Sequence, residues 1–116
     1  MKSQSKKDIP SEYNIFRAFL CEYVKREGDS TQLEDRHYLD IAFDKASKKF
    51  PQEMSSFEFQ VDGDRLISPT LSGLFIEYSR SGIIKPNGID TKHLGKPESR
   101  LYGIAGFICD KIGAKK

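Results

Sequence analysis

Hydrophobic and polar positions change period along this chain, and each change marks an element. Phe16, Phe19, Leu20, Tyr23 and Val24 recur at helical spacing within residues 11–27. Ser11 is placed to cap the start of that helix and Gly28 to stop it. The apolar arc is wide, which predicts burial against more than one neighbour. A second helical stripe, Tyr38, Leu39, Ala42, Phe43 and Ala46, occupies residues 31–49 and is extended by Phe50. Thr31 and Glu34 have the spacing of a capping box, in which hydroxyl and carboxylate each take a free backbone N–H. Lys45, Lys48 and Lys49 fall in the last turns, where the helix dipole favours cations, and Pro51 ends the element.

The period then drops to two. Phe57-Glu58-Phe59-Gln60-Val61 alternates apolar and polar, and Asp62-Gly63 suits a type I′ turn with a return strand over Asp64–Ser68. A two-residue turn sets Phe59 opposite Leu66; a four-residue turn sets Val61 there. Ser68-Pro69 combines a hydroxyl cap with proline in the first turn, so it opens a third helix. Leu71, Leu74, Phe75 and Tyr78 form its stripe, and Gly82 closes it. Ile83-Ile84 reads as a short strand or apolar anchor before the turn Lys85-Pro86-Asn87-Gly88. An irregular loop follows over 89–97, with one helical turn near 91–94. The last helix is expected from about Pro97 to Ile112, with Leu101, Ile104, Ala105, Ile108 and Ile112 inward. Gly103 and Gly106 lie on a neighbouring face, where missing side chains would let another backbone come close.

These elements predict a mainly helical α+β fold: about four helices packed together, with one β-hairpin (57–68) between helices 2 and 3 covering an edge. A winged-helix-like arrangement is the alternative. It rests on Leu71-Ser72-Gly73-Leu74, Tyr78 and Gly82-Ile83-Ile84, which have the cadence of a third helix running into a wing. Thr70, Ser72, Gly73 and Glu77 would face outward there, and they are weak tools for reading base edges. The expected domain is 11–112, with frayed segments at 1–10 and 113–116. At 116 residues the chain has the size of one domain, and 37% hydrophobic with 31% charged residues is an ordinary globular composition. No apolar run follows the basic stretch Met1–Lys7, so neither a secretory leader nor a membrane span is expected, and a cytoplasmic location is.

Charge adds the main functional clue. Residues 1–64 hold ten Lys/Arg against thirteen Asp/Glu, whereas residues 65–116 hold nine against four, so a total of +2 conceals a reversal of sign. A cationic half threaded through turns can meet an anionic partner. The candidate residues are Arg80, Lys85, Lys92, His93, Lys96 and Arg100, interleaved with Gly82, Gly88 and Gly95 and opposed by Asp90 and Glu98. Lysine and arginine bind phosphates by Coulomb attraction and counterion release, and glycine-rich loops let them follow a backbone. The bland alternative is a solvated loop with ordinary surface cations.

Other constellations are weaker. His37 shares the polar face of the second helix with Asp40 and Asp44, but Arg36–Asp40 and Asp44–Lys48 have the spacing of surface ion pairs. Arg17 and Lys25 flank Cys21 and would lower its thiol pKa, yet no histidine partner is near it in sequence. Cys109 falls near the inner stripe of the last helix and reads as a small hydrophobe. Asp62-Gly63-Asp64 lacks the further ligands of a calcium loop, and two cysteines so far apart make neither a disulfide scaffold nor a zinc site. No phosphate loop, dinucleotide fingerprint, nucleophile elbow or zincin motif occurs, and neither metal nor cofactor is expected.

The sequence therefore predicts a small binding protein rather than an enzyme, contacting nucleic-acid phosphates through the C-terminal basic loop over 80–100, supported by Lys111, Lys115 and Lys116 at the end of the last helix. The alternative is a protein-interaction module, an adaptor, inhibitor, subunit or homodimer. It is motivated by eight Phe and five Tyr, more than one small core needs.

Overall fold

Ser11 starts the first helix as its residue type predicts. Its Oγ accepts the Asn14 N–H at 3.2 Å, and helix α1 runs from Glu12 to Glu27. A computed structural model of the protein describes residues 9–31, 33, 36–92 and 94–114, with the backbone alone at 36 and 37. Among these residues the order is α1, α2 (Arg36–Lys49), β1 (Gln60–Asp62), β2 (Arg65–Ile67), α3 (Pro69–Arg80), β3 (Ile84–Lys85), β4 (Gly88–Ile89) and α4 (Tyr102–Lys111). A single 3₁₀ turn, Ser99–Leu101, leads into α4. The fold is thus mainly helical α+β, with four helices and two small antiparallel hairpins among the described residues.

Helix α2 opens later than the Thr31 cap predicts. Thr31 and Leu33 stand outside it, and Leu33 is instead drawn into the core at 7% exposure. Glu34, the other half of the expected capping box, lies outside the described residues, as does His93. The face of α2 is also rotated from the expected one. Leu39, Ala42, Phe43 and Ala46 are buried, but Tyr38 is 62% exposed and Asp40 is only 5% exposed. Tyr38 sits at the edge of the arc centred on Leu39 and Phe43, and the neighbouring elements cover the Asp40 edge instead.

The core is a cluster of rings. Phe43 packs edge-on against Phe19 at 5.4 Å between centroids, and its ring also meets Phe16 at 6.2 Å and Phe57 at 5.4 Å. Phe16 in turn carries Tyr78 edge-on at 5.1 Å, which joins α3 to α1. Helix α4 lies along α1 and touches α2, burying Ile104, Ala105, Ile108 and Cys109.

The first hairpin settles the register left open by the sequence. Val61 faces Leu66, and Asp62 faces Arg65, so the two-residue turn is Gly63-Asp64 rather than Asp62-Gly63. Gly63 takes φ 69°, the positive value that a tight hairpin turn demands at its first central position. Fully buried Ser68 ties this hairpin to α3: its Oγ accepts the Leu71 N–H at 3.2 Å and donates to the Glu58 carbonyl at 2.7 Å. At the other end of α3, Gly82 adopts φ 84°, and the Ile83 N–H reaches back to the Tyr78 carbonyl at 3.0 Å. That six-to-one closure is how a helix satisfies its last carbonyls while turning the chain.

The chain leaves α3 directly into a second hairpin, where the sequence predicts a short strand or apolar anchor followed by a turn. Ile84 pairs with Ile89 and Lys85 with Gly88 around Pro86-Asn87. The succession of helix and hairpin fits a wing-like cadence, but each strand has only two residues. Gly88 is where a backbone comes close: a Cβ there would lie 2.4 Å from the Asp29 carbonyl oxygen. Gly103 and Gly106 do not serve that purpose. Gly103 faces open space, and Gly106 meets only the Arg26 guanidinium.

Candidate nucleic-acid interface

The second hairpin is fixed to the rest of the molecule through its own backbone. The Ile89 N–H donates to the Asp29 carbonyl at 2.9 Å, and the Asp90 N–H donates to the Ile83 carbonyl at 2.8 Å. Just beyond, the Asp90 carboxylate accepts the Lys92 N–H at 3.0 Å, and the Leu94 N–H closes a turn on the Thr91 carbonyl. These bonds hold Lys85 and Lys92, seven positions apart in sequence, on the walls of one open cleft of about 340 Å³. Val24 from the last turn of α1, Asp29, Ser30 and Asn87 complete the walls with Thr91 and Asp90.

The six predicted cations do not share one fate. Arg80, Lys85, Lys92 and Lys96 are exposed and make no ion pair with another described residue. Arg100 is exposed as well, but its guanidinium lies 3.5 Å from Glu98. His93 falls outside the described residues, as do Lys115 and Lys116. Of the set, Lys85 and Lys92 line a common cleft. A cation from α1 approaches the same loop, because Gly95 sits against the Arg17 guanidinium.

Asp29 and Asp90 line the same cleft, so its four charged residues sum to zero. That balance decides what kind of anion fits. A lone small anion inside the cleft would meet as much repulsion as attraction. A polyanion running across it gains from each exposed cation in turn and releases counterions at each contact.

The other constellations resolve differently. Asp40 is buried rather than on a solvated polar face, while Asp44 holds Lys48 at 3.2 Å as its spacing predicts. Among the described residues no group of three or more His, Cys, Asp or Glu is placed to hold a metal ion. Burial pushes the Cys21 thiol up, and Arg17 offsets only part of that shift, so flanking cations do not activate it. Cys109 is fully buried, and desolvation raises its thiol to about 12. The phenylalanines are consumed by the fold: Phe16, Phe19, Phe43 and Phe57 are buried, and Phe50, Phe59, Phe75 and Phe107 are partly buried against them. The exposed aromatic rings are the tyrosines Tyr38 and Tyr13, the latter 44% exposed and hydrogen-bonded to Glu77 at 2.8 Å.

Sequence reasoning missed one grouping of cations. The ammonium of Lys49, from the acidic half, and that of Lys111, from the basic half, lie 5.7 and 5.0 Å from the centre of the Phe107 ring. Lys49 directly precedes Phe50 and Lys111 lies one turn after Phe107, but no sequence signal brings the two helix ends together. Comparison with protein-family models, with curated proteins and with solved structures returns no match. Among the described residues, no helix is long and apolar enough to cross a membrane.

Proposed function

We propose that this protein is a small non-catalytic nucleic-acid-binding accessory or regulatory protein, cytoplasmic, that grips phosphates with the second hairpin and the loop after it. Lys85 and Lys92 make the central contacts, and Arg80 and Lys96 extend them. The observation that supports the reading is the shared cleft, lined by Lys85 of the backbone-pinned hairpin and by Lys92 of the loop after it. Contacts of this kind position a ligand without reading its sequence. Outward Glu77 on α3 is already engaged by Tyr13, which leaves that helix without a base-reading side chain there.

The test is binding of a labelled DNA duplex at about 50 mM salt, where phosphate contacts are strong. Parent protein is expected to bind, with affinity falling steeply as salt rises. The K85E/K92E double variant is expected to bind at least about tenfold more weakly. Equal binding by parent and variant would remove the assignment. Salt-sensitive self-association in sedimentation, with no binding to DNA, would instead favour the protein-interaction reading.

A further inference from the structure

Two cations outside that cleft are held together at the ends of two helices. Lys49 ends α2 and Lys111 ends α4, and both ammoniums rest beside the ring of Phe107. Their separation is capped at the sum of the two ring distances, 5.7 and 5.0 Å. Phe50 stacks edge-on against Phe107 at 5.9 Å, and Lys49 lies 5.8 Å from its centre as well. Two half-buried rings therefore form a base under two exposed ammoniums.

A ring face attracts an ammonium but leaves its outward N–H groups available. It also restricts a side chain that would otherwise sample many rotamers, so less freedom is lost when an anion arrives. Two carboxylates on the same helices are already engaged: Asp110 accepts Arg26 at 2.8 Å, and Asp44 pairs with Lys48. The same Arg26–Asp110 bond fixes the location. It ties the last turn of α4, with Lys111, to the last turn of α1, whose Val24 lines the cleft of Lys85 and Lys92.

We propose that Lys49 and Lys111, steadied on Phe107, form a second phosphate contact for the same nucleic acid. The proposal rests on the nucleic-acid reading and extends its footprint. The probe is a labelled DNA duplex, and the readout is the slope of log affinity against log salt for parent, K85Q/K92Q and K49Q/K111Q. Glutamine keeps length and removes charge, and circular dichroism melts check that each variant folds as the parent does.

Each pair of phosphate contacts is expected to account for a slope of about 1.8, so each double variant should flatten the parent slope by roughly that amount. A slope and affinity for K49Q/K111Q within about twofold of parent, with K85Q/K92Q impaired, overturns the second contact and leaves the first. Failure of the parent to bind at low salt overturns both. An F107L variant supplies the finer check: the two lysines stay, and affinity falls about two- to threefold if the ring positions them. Unchanged affinity in F107L alone overturns the positioning role given to the ring.

Discussion

Replacing Phe43 by alanine is expected to cost about 3–5 kcal/mol, a large share of what a domain of this size holds. The ring is fully buried and touches Phe16, Phe19 and Phe57, so α1 and the segment before β1 lose a common neighbour at once. In urea unfolding the midpoint should fall by roughly 2 M with little change in slope. Tyr38 on the same helix gives the contrast. It belongs to the same sequence stripe but is 62% exposed, and its alanine variant should lose less than about 1 kcal/mol. Equal losses at the two positions would mean that α2 presents a different face to the core.

Alanine at Gly88 is expected to cost about 1–3 kcal/mol, the usual range for forcing a methyl group into packed surroundings. The obstacle is the Asp29 carbonyl oxygen, 2.4 Å from the added Cβ. That carbonyl also accepts the Ile89 N–H, so it cannot retreat without breaking the bond that pins the hairpin. Binding should weaken as well, because the same strand pair carries Lys85 and adjoins Lys92. Gly73 and Gly103 lie in helices with nothing within 4 Å of a new Cβ. Alanine there should stabilise by about 0.5–1 kcal/mol, since glycine gives up more backbone freedom on folding. The opposite signs are read from the same unfolding experiment.

These contrasts mark where the sequence was informative and where it was not. Chemistry confined to a few neighbouring residues could be read directly. Ser11, the Ser68-Pro69 pair and Gly82 each act on backbone groups within one turn, and each does in the structure what its residue type predicts. Facts that depend on what lies across the fold were hidden. Periodicity located the stripe of α2 but not its width, so Tyr38 and Asp40 were exchanged. Glycine's small size was visible at Gly88, Gly103 and Gly106, yet only the fold tells which of them a backbone approaches. The second hairpin has strands too short for any period to register. The hairpin turn slipped by one residue because Asp62-Gly63 and Gly63-Asp64 both satisfy turn chemistry.

The candidate interface divides along the same line. The excess of cations after residue 64 is plain in the sequence, and exposed Arg80, Lys85, Lys92 and Lys96 agree with it. The pairing of Arg100 with Glu98 is two positions away in sequence and was open to prediction. The meeting of Lys49 with Lys111 was not, because it joins the ends of two helices some sixty residues apart.

The most direct measurement is an amide chemical-shift map recorded while a short DNA duplex is added at low salt. Perturbed amides should gather at Ser30, at residues 84–92 and around Lys49, Phe107 and Lys111, and should fade together as salt is raised. Shifts confined to the surface around Tyr13 and Glu77, or no shifts at all, would contradict a phosphate grip centred on the second hairpin.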